Sequence, residues 1–385
     1  MRIGIDARLY GEEKNRGLGR YIKELIHHLE KVNTEDDFFI FLTKENYDEY
    51  HPSSPRFQKR LWDVRWYTAK EQLLPCPMDR ERLDLIHFPH WNVPLFVRTP
   101  FIVTIHDLIL IESNRRRDAS TLGVLKYAIK YASFRITLWH ALFGSRHILA
   151  ISETVKQSLR RHFPILPPQK IGMIYQGMGV PDQPAVVQHT NDARVRPPYL
   201  LSVGGAYPHK NLSFLLRSFA RLREIAPQTP YQLILAGKKD FFYERVERQA
   251  MKKEGLARLI KDGSILFFGR ATQAELGALY RGASLLVTAS LAEGMGFPPL
   301  EAMMVGTSIA VSDLPIFREI LGAAPSYFNP SDVENCVKTL LSALTNPLPR
   351  DTIREYARTL QKKYAWKLCA AQTLAVYHQI ATTRR

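Results

Sequence analysis

Cysteine is scarce in this chain: Cys76, Cys336 and Cys369 are the only three in 385 residues, and no two form a CxxC pair. That spacing suggests neither a disulfide framework nor a zinc site and suits a reducing compartment. Long apolar runs are missing as well. No stretch reaches the ~18 to 20 apolar residues that a membrane span requires. The opening MRIGIDARLYGEE meets Asp6 and Arg8 early, so no signal peptide is expected. The reading is a soluble, cytoplasmic chain.

Acidic residues run short too, 37 Asp and Glu against 53 Lys and Arg, for a formal net charge of +16. Such an excess admits nucleic acid, an anionic membrane or an anionic substrate, and its distribution decides between them. Over half of it lies in residues 114–170, where eleven Lys and Arg stand against Asp118 and Glu153. The aromatic, zinc-finger and helix-turn-helix signatures of nucleic-acid readers are missing, so nucleic acid is not expected as a partner.

What is present is repetition. Apolar, β-rich runs alternate with helical stretches: RIGIDA (2–7), FFIFLT (38–43), LIHF (85–88), FIVTIH (101–106) and HILAIS (147–152). Then come YLLSVGG (199–205), QLILAG (232–237), ILFFGR (265–270), SLLVTAS (284–290) and SIAVSD (308–313). Runs of this kind predict buried parallel strands with crossover helices, hence doubly wound α/β domains. The polar, proline-bounded stretch 181–198 interrupts the series and reads as a linker. We expect a first domain over 1–182, a linker over 183–198, a second domain over 199–362 and a last helix over 363–385. Ligands of open parallel sheets bind beyond the carboxyl ends of the strands, which directs attention to four loops.

After the first strand, RGLGRY places Gly17 and Gly19 where backbone amides can approach a ligand just ahead of a helix, although a plain glycine turn explains them equally. VTIHD ends a strand in His106 and Asp107; a lone histidine at a strand end is more often a satisfied structural residue than a functional one. GGAYPHKN sets Gly205 at a turn and Lys210 beside a helix start, a suitable place for a diphosphate or for a solvated lysine. EGMGFPPLE carries Glu293 and Glu301 around Gly294, Met295, Gly296 and Phe297, with Pro298 and Pro299 fitting the first helical turn. Amides between two carboxylates suit a ligand with hydroxyls at both ends and phosphate in the middle. A capping carboxylate plus an ordinary helix glutamate is the bland alternative.

EGMGFPPLE closely resembles the signature of the retaining glycosyltransferases of family 4, whose two-domain fold is called GT-B. The likeness extends through RGLGRY, FIVTIHDL, LAISETVKQSL, LLSVGGAYPHKNL, FFGRATQAELGALYRGASLLVTAS, SDLPIFREILG and YFNPSD, in matching order. It implies two Rossmann-like domains facing a cleft, acceptor on the N-terminal side and nucleotide-sugar donor on the C-terminal side. Glu301 is then expected on the ribose hydroxyls, and Glu293 on the sugar, with the amides of Gly294, Met295, Gly296 and Phe297. Lys210 is expected on the leaving diphosphate, His106 on the donor sugar, and Gly17 and Gly19 near phosphate and acceptor.

The fold family is usually described with front-face substitution, not a carboxylate nucleophile, so Glu293 is expected to bind and stabilise charge. Neither metal nor cofactor is implied. Two positions depart from the family pattern: Gly205 stands where many relatives have arginine, and Tyr175-Gln176-Gly177 where Asn-Gly is common. Arg270 is a candidate to replace the missing cation. By the same resemblance, mannose from GDP-mannose is the expected donor and a glycan or lipid-linked glycan the acceptor. A UDP- or dTDP-sugar transferase, an epimerase and a non-catalytic sugar-nucleotide-binding protein remain open.

Arg115, Arg116 and Arg117 precede LGVLKYAIKYASFRITLWHALFG, which mixes cations with Tyr127, Tyr131, Phe134 and Trp139. Such a helix suits either docking on an anionic membrane surface or packing on its own domain. The final helix, with apolar Trp366, Ala370, Leu374 and Tyr377, is expected to cross back to the N-terminal domain.

Overall fold

The computed structural model describes residues 1–33, 35–113, 118, 120–178, 192–228 and 231–382. The chain divides into two compact units. The first comprises Met1–Leu108, Leu122–Gly179 and Tyr364–Arg385; the second comprises Ile109–Thr121 and Val180–Lys363. Residues 109–121 therefore depart from the expected continuous 1–182 span; within the second unit, Arg245 Nη2 donates to the Asp118 carbonyl at 3.0 Å. Most of the expected linker, 183–191, and Arg115, Arg116 and Arg117 lie outside the described residues.

The first unit holds seven strands: β1 Arg2–Asp6, β2 Asp37–Leu42, β3 Phe57–Leu61, β4 Leu85–Phe88, β5 Phe101–Ile105, β6 His147–Ala150 and β7 Ile171–Met173. They form one parallel sheet in the order β3-β2-β1-β4-β5-β6-β7. Ile3 pairs with both Phe38 of β2 and Leu85 of β4, so the strand order reverses at the β1/β4 pair. The second unit holds β8 Tyr199–Val203, β9 Gln232–Ala236, β10 Ile265–Gly269, β11 Leu285–Thr288, β12 Ile309–Ser312 and β13 Ser326–Phe328. Their order, β10-β9-β8-β11-β12-β13, is again parallel throughout and reverses between β8 and β11.

The near-continuous apolar runs produce this arrangement because strands covered by helices on both faces need apolar residues at successive positions. β1, β2, β4, β5, β8 and β9 are buried along almost their whole length. Three strands escaped the sequence reading. β3, FQKRL, is a charged edge strand, and β7 and β13 have only three residues each.

The last helix, Trp366–Thr382, packs against helix Glu12–Val32 within the first unit. Its Trp366, Ala370 and Tyr377 are buried in the same core as Ile3, Ile22, Leu25, Phe38 and Leu85. Tyr377 Oη lies 2.6 Å from His87 Nδ1, and the other ring nitrogen of His87 lies 2.8 Å from Thr104 Oγ1. No helix among the described residues is long and apolar enough to cross a membrane.

Candidate active site

In the second unit the sequence-derived candidates gather at the β8/β11 reversal, where a parallel sheet opens a crevice beyond its carboxyl ends. β8 leads through Gly204 and Gly205 to a short turn, Pro208–Lys210, and then to helix Leu212–Ile225. β11 leads through Ser290 to Glu293 and helix Phe297–Met304. The two loops are joined: the Leu291 amide donates to the His209 carbonyl at 2.7 Å.

Their side chains also meet. Lys210 Nζ donates to Glu293 Oε1 at 2.7 Å, and Ser290 Oγ donates to the same oxygen at 2.7 Å. The Glu293 side chain is 10% exposed and that of Lys210 is 27% exposed. Burial alone pushes the Glu293 carboxyl up, but the Lys210 charge and the two donors outweigh it and hold its pKa below the ordinary value. Glu293 is thus an ionised, partnered carboxylate at neutral pH. His209, stacked on Tyr207, is pushed down to about 4 by burial and by Lys210, against the opposing pull of Glu293, so it carries no charge there.

Gly296 shapes the turn into the helix. Its φ is +81°, and a Cβ there would overlap the Phe317 ring, so both conformation and space require glycine. Pro298 and Pro299 lack an N–H, which leaves the amides of the loop residues and Leu300 as the donors at this helix terminus. Glu301 lies two turns of chain from Glu293 and is held by a different neighbour: Tyr280 Oη donates to its Oε2 at 2.8 Å. Tyr280 is itself buried at the end of helix Gln273–Gly282. Arg270, following β10, is exposed.

The remaining candidates belong to the first unit. His106 follows β5, and its Nε2–H donates to the Pro89 carbonyl at 2.9 Å; Gln176 hydrogen-bonds the ring. Tyr21 packs edge-on at 4.6 Å. Burial drives the His106 pKa down to about 4 although both hydrogen bonds oppose the shift, so the imidazole is neutral at pH 7. Gln176, part of the departure from the family pattern, is buried and serves to orient this ring.

Gly17 and Gly19 do not form a loop ahead of a helix. They lie inside helix Glu12–Val32, which begins after Gly11, at φ +102°. Only the first four amides of a helix lack an intrahelical acceptor, and Gly17 is the sixth residue. Backbone donors toward an anion at this terminus therefore precede both glycines.

A buried ionic cluster in the first unit was not foreseen. Arg8 Nε and Nη2 donate to the two Asp6 oxygens at 2.9 and 2.8 Å, and Nη2 also donates to Glu71 Oε1 at 2.6 Å. The guanidinium lies 3.5 Å from the Trp62 ring centroid. Asn92 Nδ2 donates to both Glu71 oxygens at 2.9 Å, and the Tyr67 amide donates to Glu71 Oε2 at 2.8 Å. Loops after β1, β3 and β4 are thereby tied together. Asp6 and Arg8 are visible in the sequence, but Glu71 is 63 residues from Arg8, and no spacing announces the pair. Among the described residues, no group of three or more His, Cys, Asp or Glu stands together to hold a metal ion.

Comparison with known proteins places this geometry. Residues 15–179 match the family described as Glycosyltransferase Family 4, and residues 188–360 match Glycosyl transferases group 1. The chain belongs to the family 4 glycosyltransferases. It is 30% identical over 240 residues to the O-antigen chain mannosyltransferase RfbU of Salmonella typhimurium, covering 62% of this chain and 63% of that protein. It is also 32% identical over 169 residues to the serotype-specific mannosyltransferase WbdA of Escherichia coli, covering 44% of this chain and 20% of that protein. These matches span less than two thirds of either relative's length. The structure of Anabaena HepE in complex with UDP and glucose superposes with a TM-score of 0.71 at 13% identity, covering 98% of this chain and 100% of that one. The glycosyltransferase thus has two Rossmann-like units of the GT-B type.

Proposed function

We propose that this glycosyltransferase moves mannose from GDP-mannose to a glycan or lipid-linked glycan acceptor, as in O-antigen synthesis, with retention of anomeric configuration. The observation that carries the reading is the Lys210–Glu293–Ser290 cluster, with Glu301 on the helix that follows the Glu293 loop, at the β8/β11 reversal. Mannose rests on the two mannosyltransferase relatives, and a nucleotide donor is supported by the UDP-bound fold neighbour.

In this reading Glu301, aimed by Tyr280, accepts from the ribose hydroxyls. The amides at Gly294, Met295, Gly296 and Phe297 hold sugar hydroxyls and phosphate at a helix N-terminus. Lys210 carries the main electrostatic task, taking the negative charge that builds on the diphosphate as its bond to the anomeric carbon breaks. No metal is assigned to that task. Arg270, exposed after β10, is a further candidate cation for the same diphosphate, and Gly205 lets backbone approach it. The acceptor hydroxyl attacks from the same face, and its proton passes to the leaving diphosphate oxygen. Glu293 is a poor nucleophile because Lys210 and Ser290 already engage one of its oxygens; its charge serves the developing oxocarbenium ion instead.

We also assign an anionic membrane surface to helix Val124–Gly144. Leu125, Ile129, Ile136 and Trp139 share one face and are 74%, 60%, 59% and 56% exposed. Lys126, Lys130 and Arg135 flank that face, and the helix has no acidic residue. Cosedimentation with anionic vesicles, lost in Leu125→Asp/Ile129→Asp, tests this; binding to neutral vesicles alone refutes it. The catalytic reading is tested by incubating the protein with GDP-mannose and following the anomer released by NMR. β-Mannose as the first product from the α-donor would overturn retention.

A further inference from the structure

We propose that an aromatic run in the first unit, from Trp66 and Tyr67 through His90 and Trp91 to Phe134 and Tyr131, is the platform that binds the acceptor glycan. This rests on the glycosyltransferase reading and adds the subsite that reading lacks. The rings form a connected series. Trp66 and His90 centroids are 5.3 Å apart, Tyr67 and Trp91 5.3 Å, and His90 and Trp91 4.7 Å. Trp91 then meets Phe134 edge-on at 4.7 Å, and Phe134 meets Tyr131 at 5.9 Å.

Three observations point to a ligand. First, His90 and Trp91 follow β4, one of the two strands at the reversal of the first sheet, the crevice where parallel sheets hold their ligands, and Trp66 meets them there from the loop after β3. Second, it adjoins His106, the candidate residue of this unit: His106 is bonded to the Pro89 carbonyl, and the next two residues are His90 and Trp91. Third, the rings are rigidly held and, apart from the buried Trp66, incompletely covered. Tyr67 is 53% exposed, and His90, Trp91, Phe134 and Tyr131 are partly exposed.

The rigidity comes from the buried ionic cluster. Tyr67 has a φ of +60°, an uncommon conformation for a bulky side chain, and its amide is fastened to Glu71. Asn92 grips the same carboxylate, and its own amide donates to His90 Nδ1 at 3.3 Å. Glu71 is in turn neutralised by Arg8. A strained loop and a buried charge cluster thus aim half-open rings. The occupant that fits such a surface has flat C–H faces to lie on π-electrons and hydroxyls around its rim for water, the chemistry of a pyranose. Preorganised rings with two rotatable bonds lose little entropy when the sugar docks. The run ends on the helix to which the membrane surface is assigned, so a lipid-linked glycan would extend along it from the His106 end toward its lipid.

The test is a titration of the full-length protein with mannotriose, followed by saturation-transfer NMR with irradiation of aromatic protons, beside a separate titration with GDP. We expect transfer to the sugar C–H protons of the wild type. Tyr67→Ala and Trp91→Leu should each weaken mannotriose binding by about fivefold to tenfold, while Trp91→Phe stays within about twofold of wild type. GDP binding should be the same in all four proteins. Mannotriose binding that is absent from the wild type, or equal in all four, overturns the platform. Loss of GDP binding in the wild type alongside the expected mannotriose results would instead refute the donor reading and leave the platform standing.

Discussion

Replacing Lys210 by methionine strips Glu293 of its cation while keeping most of the side-chain volume. The carboxylate is nearly buried and its lysine is about a quarter exposed. Breaking a fully buried pair by removing one partner costs about 3–5 kcal/mol. Partial exposure of the lysine and the surviving Ser290 bond reduce that to about 2 kcal/mol. For a domain of this size the melting temperature should fall by about 4–8 °C at pH 7.

The pH dependence identifies the cause. In the wild type the Glu293 pKa is depressed, so its contribution is present above the unfolded carboxyl value and is lost as pH falls through the folded one. In Lys210→Met the opposing burial prevails and raises that pKa, so the penalty is present at pH 7, fades as pH falls through the raised value and is gone below the unfolded carboxyl value of about 4.3. The gap between the two melting temperatures, measured by calorimetry from pH 7 to pH 4, should therefore close toward acid. Turnover should fall about 10²- to 10³-fold, the usual loss when one donor to a developing anion is removed. A melting gap independent of pH, or unchanged turnover, would refute the assignment.

Three other outcomes follow from the same geometry. Tyr280→Phe removes the donor that aims Glu301 and should weaken GDP affinity by about threefold to tenfold, with little change in turnover at saturating donor, as read by calorimetry and kinetics. His87, His90 and His106 are all kept neutral by burial, His87 down to about 3 and His106 to about 4. Because their folded pKa values are depressed, the unfolded chain takes up protons first as pH falls below about 6.5, and each histidine lowers stability by up to about 1.4 kcal/mol per pH unit until its folded value is reached. Denaturant midpoints between pH 7 and pH 5 should show this slope, reduced in His87→Phe. Arg8→Met leaves Asp6 and Glu71 buried without their cation and should cost about 3–5 kcal/mol, measured by urea unfolding; a loss under 1 kcal/mol would refute the ionic cluster's role.

The sheets were legible because apolar runs of parallel strands stand out against amphipathic helices. FIVTI and QLILA are buried at every position. FQKRL was not legible, since an edge strand tolerates the lysine and arginine that hide its pattern. Glu293, Glu301 and Lys210 stood out in loops after strands and took their expected roles from the resemblance; the fold adds that Lys210 and Glu293, 83 residues apart, are bonded to each other. Tyr280 and Glu71 were missed, and Gln176 was noted only as a departure from the family pattern, because the partners that give them their roles, Glu301, Arg8 and Asn92, and His106, are distant in sequence and leave no local signature. The glycines of RGLGRY misled for a physical reason: glycine before an amphipathic stretch usually marks a turn, but here the helix tolerates both and starts at Gly11.

The measurement that tests the central claim most directly is a calorimetric titration with GDP, UDP and GDP-mannose of the intact protein and of Glu301→Ala. The account predicts that GDP and GDP-mannose bind the intact protein more tightly than UDP and that both are lost or strongly weakened in the variant. Binding of no nucleotide to the intact protein, or equal binding to the variant, would contradict it.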